Sequence, residues 1–433
     1  MEPSKTTKSI RQHPLIHFLI KSKGNSKALI LQEPLWGIPF HLIAPFAALY
    51  MSLQGITDTQ IGIILSITMV GQVFFGFFSG IITDKLGRKP ATLIGDFFGF
   101  GIACLIWAIS NNFWLFVIAV LFNSAERIAL NSWQCLLIED AQQKDMLNIY
   151  TWTTIGGLVA VFFAPISGFL IFNFDLVTVV RGLYVLFALS MFTKCIITFF
   201  YCTETKQGKI RKKETKSIPV STMILEYTRI IPQILKSPAT MKIVVLNVIL
   251  HITVLITTTY FGLYVTAKLG VPEQFLAIFP IINAVVMLLF MFVIQHRIEF
   301  VKNKIPMWAG LIIFTIGSLM LILIPEGNLL LIVVYLFLIA VANALVLPRR
   351  DAMLQIALDP EERARIMGLI LSITIALSAP FGVLAGVLSD IDRRLPFLMT
   401  TILFLIAIVI VGIMKEDEYK ARTRKEVEVH EKS

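Results

Sequence analysis

Glu126 and Arg127 stand side by side in the middle of an apolar run. A charge at that depth of a bilayer costs about 2.5–3.5 kcal/mol even on the gentler insertion scales, so neither side chain is expected to face lipid. A carboxylate beside a guanidinium can take up and release a proton, and the two are candidate proton-binding groups. Asp96, in the preceding apolar run, is a third candidate and equally a partner for Arg127 in a purely structural ion pair. Asn123, Arg127, Asn131 and Gln134 fall on one helical stripe, which suggests a face turned to a wet cavity. His41 and His251 are imidazoles inside apolar runs and titrate near neutral pH when unperturbed; each reads either as a ligand or as a hydrogen-bonded packing group. Asn247 lies four residues before His251, and Tyr260, Tyr264, Asn283 and Asn343 complete the cavity candidates. Lys194 reads as a side chain that snorkels to the nearer membrane face.

Other chemistries find no support. The chain has no P-loop, no H-E-x-x-H and no G-x-S-x-G, so neither nucleotide-driven work nor hydrolysis is indicated and an enzyme is not expected. Cys104, Cys135, Cys195 and Cys202 lie in or at the ends of apolar runs and form no C-x-x-C pair. No disulfide framework, metal site or cofactor is expected from them.

The elements that must position these groups follow from composition. Of 433 residues, 56% are hydrophobic and 15% charged, against roughly 25% charged in soluble domains. Twelve continuous apolar runs, from 35–54 to 394–414, each reach the length of about 20 residues that a helix needs to cross a bilayer. Their continuity excludes the short alternating segments of a membrane barrel. Of the 38 Lys and Arg, only Arg181, Lys268, Arg393 and Arg394 fall in loops on one side, and Arg127 and Lys194 fall inside helices. The rest gather on the side of both termini, which the positive-inside rule makes cytoplasmic. Topology and anionic lipid thus account for the net charge of +10, and no nucleic-acid partner is needed. The polar head shows no cleavable signal peptide.

The chain divides into a head (1–34), six helices (35–202), a basic central segment (203–242), six helices (243–414) and a tail (415–433). In the central segment Val220, Ile224, Tyr227, Ile231 and Ile234 recur at helical spacing, as in a helix lying on the membrane. The halves are weakly alike. Asn123, Asn131 and Asp140 correspond at nearly constant offset to Asn343, Asp351 and Asp359, and Ala164-Pro165 corresponds to Ala379-Pro380.

Between the second and third runs stands GIITDKLGRKP, Gly80–Pro90. Gly76 and Gly80, four apart, permit close helix approach, and Gly87 permits a turn closed to other residues. The segment resembles the signature loop of the major facilitator superfamily, G-x-x-x-D-[RK]-x-G-R-[RK], at every fixed position: Gly80, Asp84, Lys85, Gly87, Arg88 and Lys89. Gly55–Gly62 (GITDTQIG) and Asp359–Gly368 (DPEERARIMG) resemble two further loops of that family. The resemblance implies an all-α membrane protein, twelve transmembrane helices in two pseudo-symmetric six-helix bundles. It also implies a gate in which Asp84 meets the N-terminus of the eleventh helix near Ala364, with Arg88 reaching Asp84 or Asp140.

The arginine of the fourth helix is similar to one associated in the family with proton-coupled antiport. Ala160, Ala164, Pro165 and Gly168 in the fifth form a relaxed version of an exporter motif, in which Pro165 bends the helix and the small residues pack; Pro380 is its counterpart. The implied activity is secondary transport by alternating access. The leading form is proton-coupled efflux of a small lipophilic compound across the plasma membrane, the partners being the bilayer, the substrate and protons. The other readings are a facilitator or importer of a polar metabolite such as a sugar or organic anion, and a non-transporting receptor or scaffold.

Overall fold

The computed structural model describes residues 19, 22, 24–142, 145–222, 238–293, 304–357 and 363–414. Twelve helices in it are long and apolar enough to cross a membrane: α1 Asn25–Leu53, α2 Asp58–Leu86, α3 Arg88–Ile109, α4 Phe113–Ile138, α5 Asn148–Asn173, α6 Leu176–Tyr201, α7 Thr240–Ala267, α8 Glu273–Phe290, α9 Lys304–Leu323, α10 Leu329–Arg350, α11 Leu369–Ile391 and α12 Leu395–Ile413. No strand occurs among the described residues. Most ends agree with the apolar runs to within a few residues. The exception is α1, which begins at Asn25 rather than near residue 35. A residue that read as head, Gln32, is buried inside the bundle and accepts a hydrogen bond of 2.8 Å from Thr198 on α6.

Several helices break where the chemistry lies. Pro45 opens a 3-10 turn, Ala44–Phe46, within α1; proline supplies no N–H to an α-helical ladder. Just after Asp96, α3 passes through a π-helical stretch, Phe97–Ile102, a rare form that is frequent at functional sites. The second half of α4 starts at Glu126, whose carboxylate lies in a first helical turn, where the helix dipole favours negative charge. Pro165 opens the second half of α5, after a break at Phe162 and Phe163.

α2 packs along α11 more extensively than any other pair, which joins the halves. α5 meets α8 at Gly168, where an added Cβ would stand 2.6 Å from the Gln274 carbonyl. Met69, Ile375 and Ala379 form a small buried cluster with Val73 and Leu255 midway along this seam. Side-chain hydrogen bonds that cross between the halves join Asp58, Thr59 and Ser66 to α7, α11 and Arg393 just beyond α11. All of these lie in the half of the bundle away from the first residue of α1 and the last of α12. The bundle is therefore clasped at this far end.

The central segment holds a short helix, Lys206–Glu214, followed by a 3-10 turn, Thr215–Ser217. The amphipathic stretch read at Ile224, Tyr227, Ile231 and Ile234 lies outside the described residues.

Candidate functional site

Glu126 and Arg127 are joined through a residue of α2. Gln72 Nε2 donates 2.9 Å to Glu126 Oε1, and Arg127 Nη2 donates 3.0 Å to Gln72 Oε1. Arg127 Nε stands 3.9 Å from Glu126 Oε1, too far for a hydrogen bond. One uncharged amide thus bridges both charges. The α4 backbone is pressed against α3 here, since a Cβ on Gly99 would stand 2.6 Å from the Glu126 amide nitrogen. Arg127 lies within electrostatic reach of His251 on α7, as does Arg350 on α10. His251 Nδ1 and Arg127 Nε have no hydrogen-bond partner. Cations from both halves thus act electrostatically on one imidazole.

Asp96 is not the partner of Arg127. It pairs instead with Lys194, Nζ lying 3.0 Å from Oδ2 with side chains 7% and 2% exposed. The contact is ionic rather than an aligned hydrogen bond, because Asp96 Oδ2 accepts none. The same pair overturns the snorkelling expectation for Lys194: a buried carboxylate within reach is a better solvent for the ammonium than a distant headgroup region.

The signature loop builds a network of ion pairs at the near end, where α1 begins. Gly87 has φ of +102° and caps the following helix, a conformation that only glycine adopts without strain. Asp84 Oδ1 accepts 2.8 Å from Arg88 Nη1, and Asp84 Oδ2 accepts 2.9 Å from Arg211 Nη2 on the central helix. That bond to Asp84 holds the Arg211 guanidinium above its ordinary pKa. Arg88 reaches Asp84 and also Glu139, at 3.0 Å, rather than the neighbouring Asp140. Glu204 accepts from the backbone N–H groups of Arg88 and Lys89, and Lys85 Nζ donates to the Ile218 carbonyl at 2.9 Å. Lys89 Nζ donates 2.7 Å to the Phe199 carbonyl. The central segment is thus fastened to the signature loop. Side chains at the start of the eleventh helix near Ala364 lie outside those described.

The other candidates scatter. Asn123 donates 2.7 Å to the Gly99 carbonyl in the π-helical stretch, and Asn131 lies 3.4 Å from the Thr83 hydroxyl. Asn247 donates 3.0 Å to Thr374 on α11. Tyr260 and Tyr264 are buried in the core, each donating to backbone carbonyls. Asn283 Oδ1 is buried without a partner. Gln134 is exposed, and His41 and Asn343 are half-buried. Ala164 and Gly168 are buried at packing positions, Pro165 and Pro380 flank them and the seam, and Gly76 has open space where a Cβ would be.

Sequence reasoning missed the far-end clasp. Asp58, 4% exposed, accepts 2.6 Å from the Ser389 hydroxyl and 3.2 Å from Arg393 Nε. Asp390 accepts from the backbone N–H groups of Asp58 and Thr59 at 3.0 and 2.9 Å, capping α2 from the other half. Halfway down the seam, Ser66 Oγ donates to the Ala379 carbonyl and accepts 3.1 Å from the Val383 N–H. Asp58 does lie within the Gly55–Gly62 segment, which was the signal available.

Comparison with known proteins agrees with this geometry. The crystal structure of nucleoside transporter NupG superposes with a TM-score of 0.70 at 16% identity, over 93% of this chain and 99% of that one. A POT family transporter in complex with thioalcohol conjugated peptide superposes at 0.67 and 14% identity, over 92% and 98%. An uncharacterized MFS-type transporter of Bacillus subtilis (strain 168), YqjV, is 25% identical over 126 residues. That match spans 29% of this chain and only 30% of the relative's length. The profile of the Major Facilitator Superfamily matches residues 37–374 and 282–431. That match covers most of a chain whose described residues form twelve helices of membrane length, and the chain is a multi-pass membrane transporter of the Major Facilitator Superfamily.

Proposed function

We propose that the chain couples a proton to substrate movement by alternating access, and that Glu126 is the coupling carboxylate. The observation that carries this is the Glu126–Gln72–Arg127 bridge midway along α4. A charge at that depth is costly unless paired or hydrated. Protonating Glu126 releases Arg127 from its attraction, and Arg127 acts on the same region as His251 and Arg350 of the other half. A proton on one half thereby alters the interactions available to the other.

The excess of cations on the near side supports a cytoplasmic location for it, and in this reading the protein sits in the plasma membrane. The far-end clasp then makes this an inward-facing state. The small residues around Pro165 support efflux of a small lipophilic compound as the direction. A second reading, movement of a polar metabolite such as an organic anion, is favoured by Arg127, His251 and Arg350 acting on one region.

Flux in proteoliposomes tests both. Lipophilic compounds and organic anions are offered with and without an imposed proton gradient. Gradient-driven flux that Glu126→Gln abolishes while substrate binding survives supports the coupling reading. Normal gradient-driven flux by folded Glu126→Gln protein removes Glu126 from the mechanism.

A further inference from the structure

α1, α3 and α6 bring three ionisable groups to one depth. Glu33 lies eight residues after Asn25, Asp96 eight after Arg88 and Lys194 seven before Tyr201. At about 1.5 Å per residue, each is about 10–12 Å from the near end. Two hydrogen bonds fix the register of α1 against the antiparallel α6. Thr198 donates to the Gln32 side chain at 2.8 Å, and Ser190 donates to the Leu35 carbonyl at 2.6 Å. Lys194 lies midway between those α6 residues, as Glu33 lies between their α1 partners. This register brings Lys194 to the level of Glu33, while its nitrogen lies 3.0 Å from Asp96.

The surroundings supply little other charge. Lys194 and Asp96 are the groups that act electrostatically on Glu33. α5 closes against Glu33, whose Cβ would be 3.2 Å from a Cβ on Gly156, and α5 carries neither a charged residue nor a histidine. On α6, Cys195 lies beside the ion pair. On α4, which also touches α1, Glu126 is held by Gln72, and Glu139 beyond the helix end by Arg88.

Two carboxylates thus share a level of the bundle interior with one ammonium that acts on both, where surplus charge is costly. Asp96 and Lys194 are buried against each other, whereas Glu33 keeps some exposed surface and, among the described residues, makes no side-chain hydrogen bond. We infer that Glu33 is a second proton-binding site, exchanging its proton with water and competing with Asp96 for Lys194. With Glu33 protonated, Lys194 stays on Asp96 and α6 is tied to α3. When Glu33 gives its proton to water, the net charge falls by one and Lys194 is drawn towards α1. This site deepens the proton-coupled reading and rests on it for its role in transport, though not for its existence.

Infrared difference spectroscopy of the full chain in lipid nanodiscs, titrated with acid and base, tests the site without a substrate. The expected result is a carboxylic-acid carbonyl band that vanishes as Glu33 ionises, is lost in Glu33→Gln and persists in Glu126→Gln. Lys194→Gln removes the cation that favours ionised Glu33 and should raise proton affinity there by about tenfold or more. It also carries the test if Glu33→Gln fails to fold. Titration bands identical in wild type and either Glu33→Gln or Lys194→Gln overturn the proposal. A Glu33 band in a protein without gradient-driven flux upholds the site and overturns the coupling reading instead.

Discussion

The Asp58 carboxylate at the head of α2 lies 3.2 Å from the Arg393 guanidinium between α11 and α12, and this ion pair ties the two halves together. Asp58 is almost wholly buried, so removing one partner strands the other. Breaking such a pair costs about 3–5 kcal/mol. Arg393→Ala should therefore weaken the far-end clasp and expose the seam. A cysteine at Ser66, probed with an impermeant thiol reagent from the far side, is expected to label at least about tenfold faster in that background. Equal labelling rates would show that the pair does not hold the seam.

Asp84 carries two arginines, one from the first residue of α3 across the Gly87 turn and one from the central segment. Asp84→Asn should slow transport about tenfold and loosen both. Arg211→Ala, whose side chain is 39% exposed, should free the central helix and leave the Arg88–Glu139 contact in place. Limited proteolysis within residues 206–222 should quicken in both variants. A cleavage pattern unchanged from wild type in Arg211→Ala would mean that Asp84 does not anchor the segment.

Gly382 faces α2 so closely that a Cβ there would stand 2.6 Å from Ser66 Oγ and 3.0 Å from the Gly62 carbonyl. Gly382→Val is expected to prevent the clasped arrangement. Far-side labelling of position 66 should rise, and net flux should fall by more than about tenfold, since alternating access needs both arrangements. Full flux from this variant would show that the seam has slack that the contact distances deny.

Topology is open to direct measurement. If the cation-rich side is cytoplasmic, as the positive-inside rule implies, tags at residues 1, 210 and 433 should all resist labelling from outside intact cells. External labelling of any one of them would break that assignment.

Much of this architecture was legible in the sequence because apolar runs of membrane length have few other uses, and because Asp84, Gly87 and Arg88 stand at telling intervals. What escaped were pairings across helices. Gln72 is uncharged and sits in an apolar run, so nothing marks it until α2 is laid beside α4. Glu33 read as part of a polar head because periodicity along α1 cannot reveal that α6 supplies Lys194 opposite it. Lys194 showed its distance from a helix end but not the carboxylate of α3 that makes that distance irrelevant. Arg211 lay in a basic cluster whose members look alike until one meets Asp84.

Ser66 has a consequence for how the halves part. It accepts from the Val383 N–H and donates to the Ala379 carbonyl, the two groups that an undisturbed α-helix joins to each other. The hydroxyl serves both ends of one rung of the α11 ladder, next to Pro380. When α2 withdraws, the N–H and carbonyl that it served can close on each other, and the hydroxyl can turn back to a carbonyl of its own helix. The seam can then come undone without orphaning a backbone group, so its separation is an exchange of hydrogen bonds rather than a loss of them.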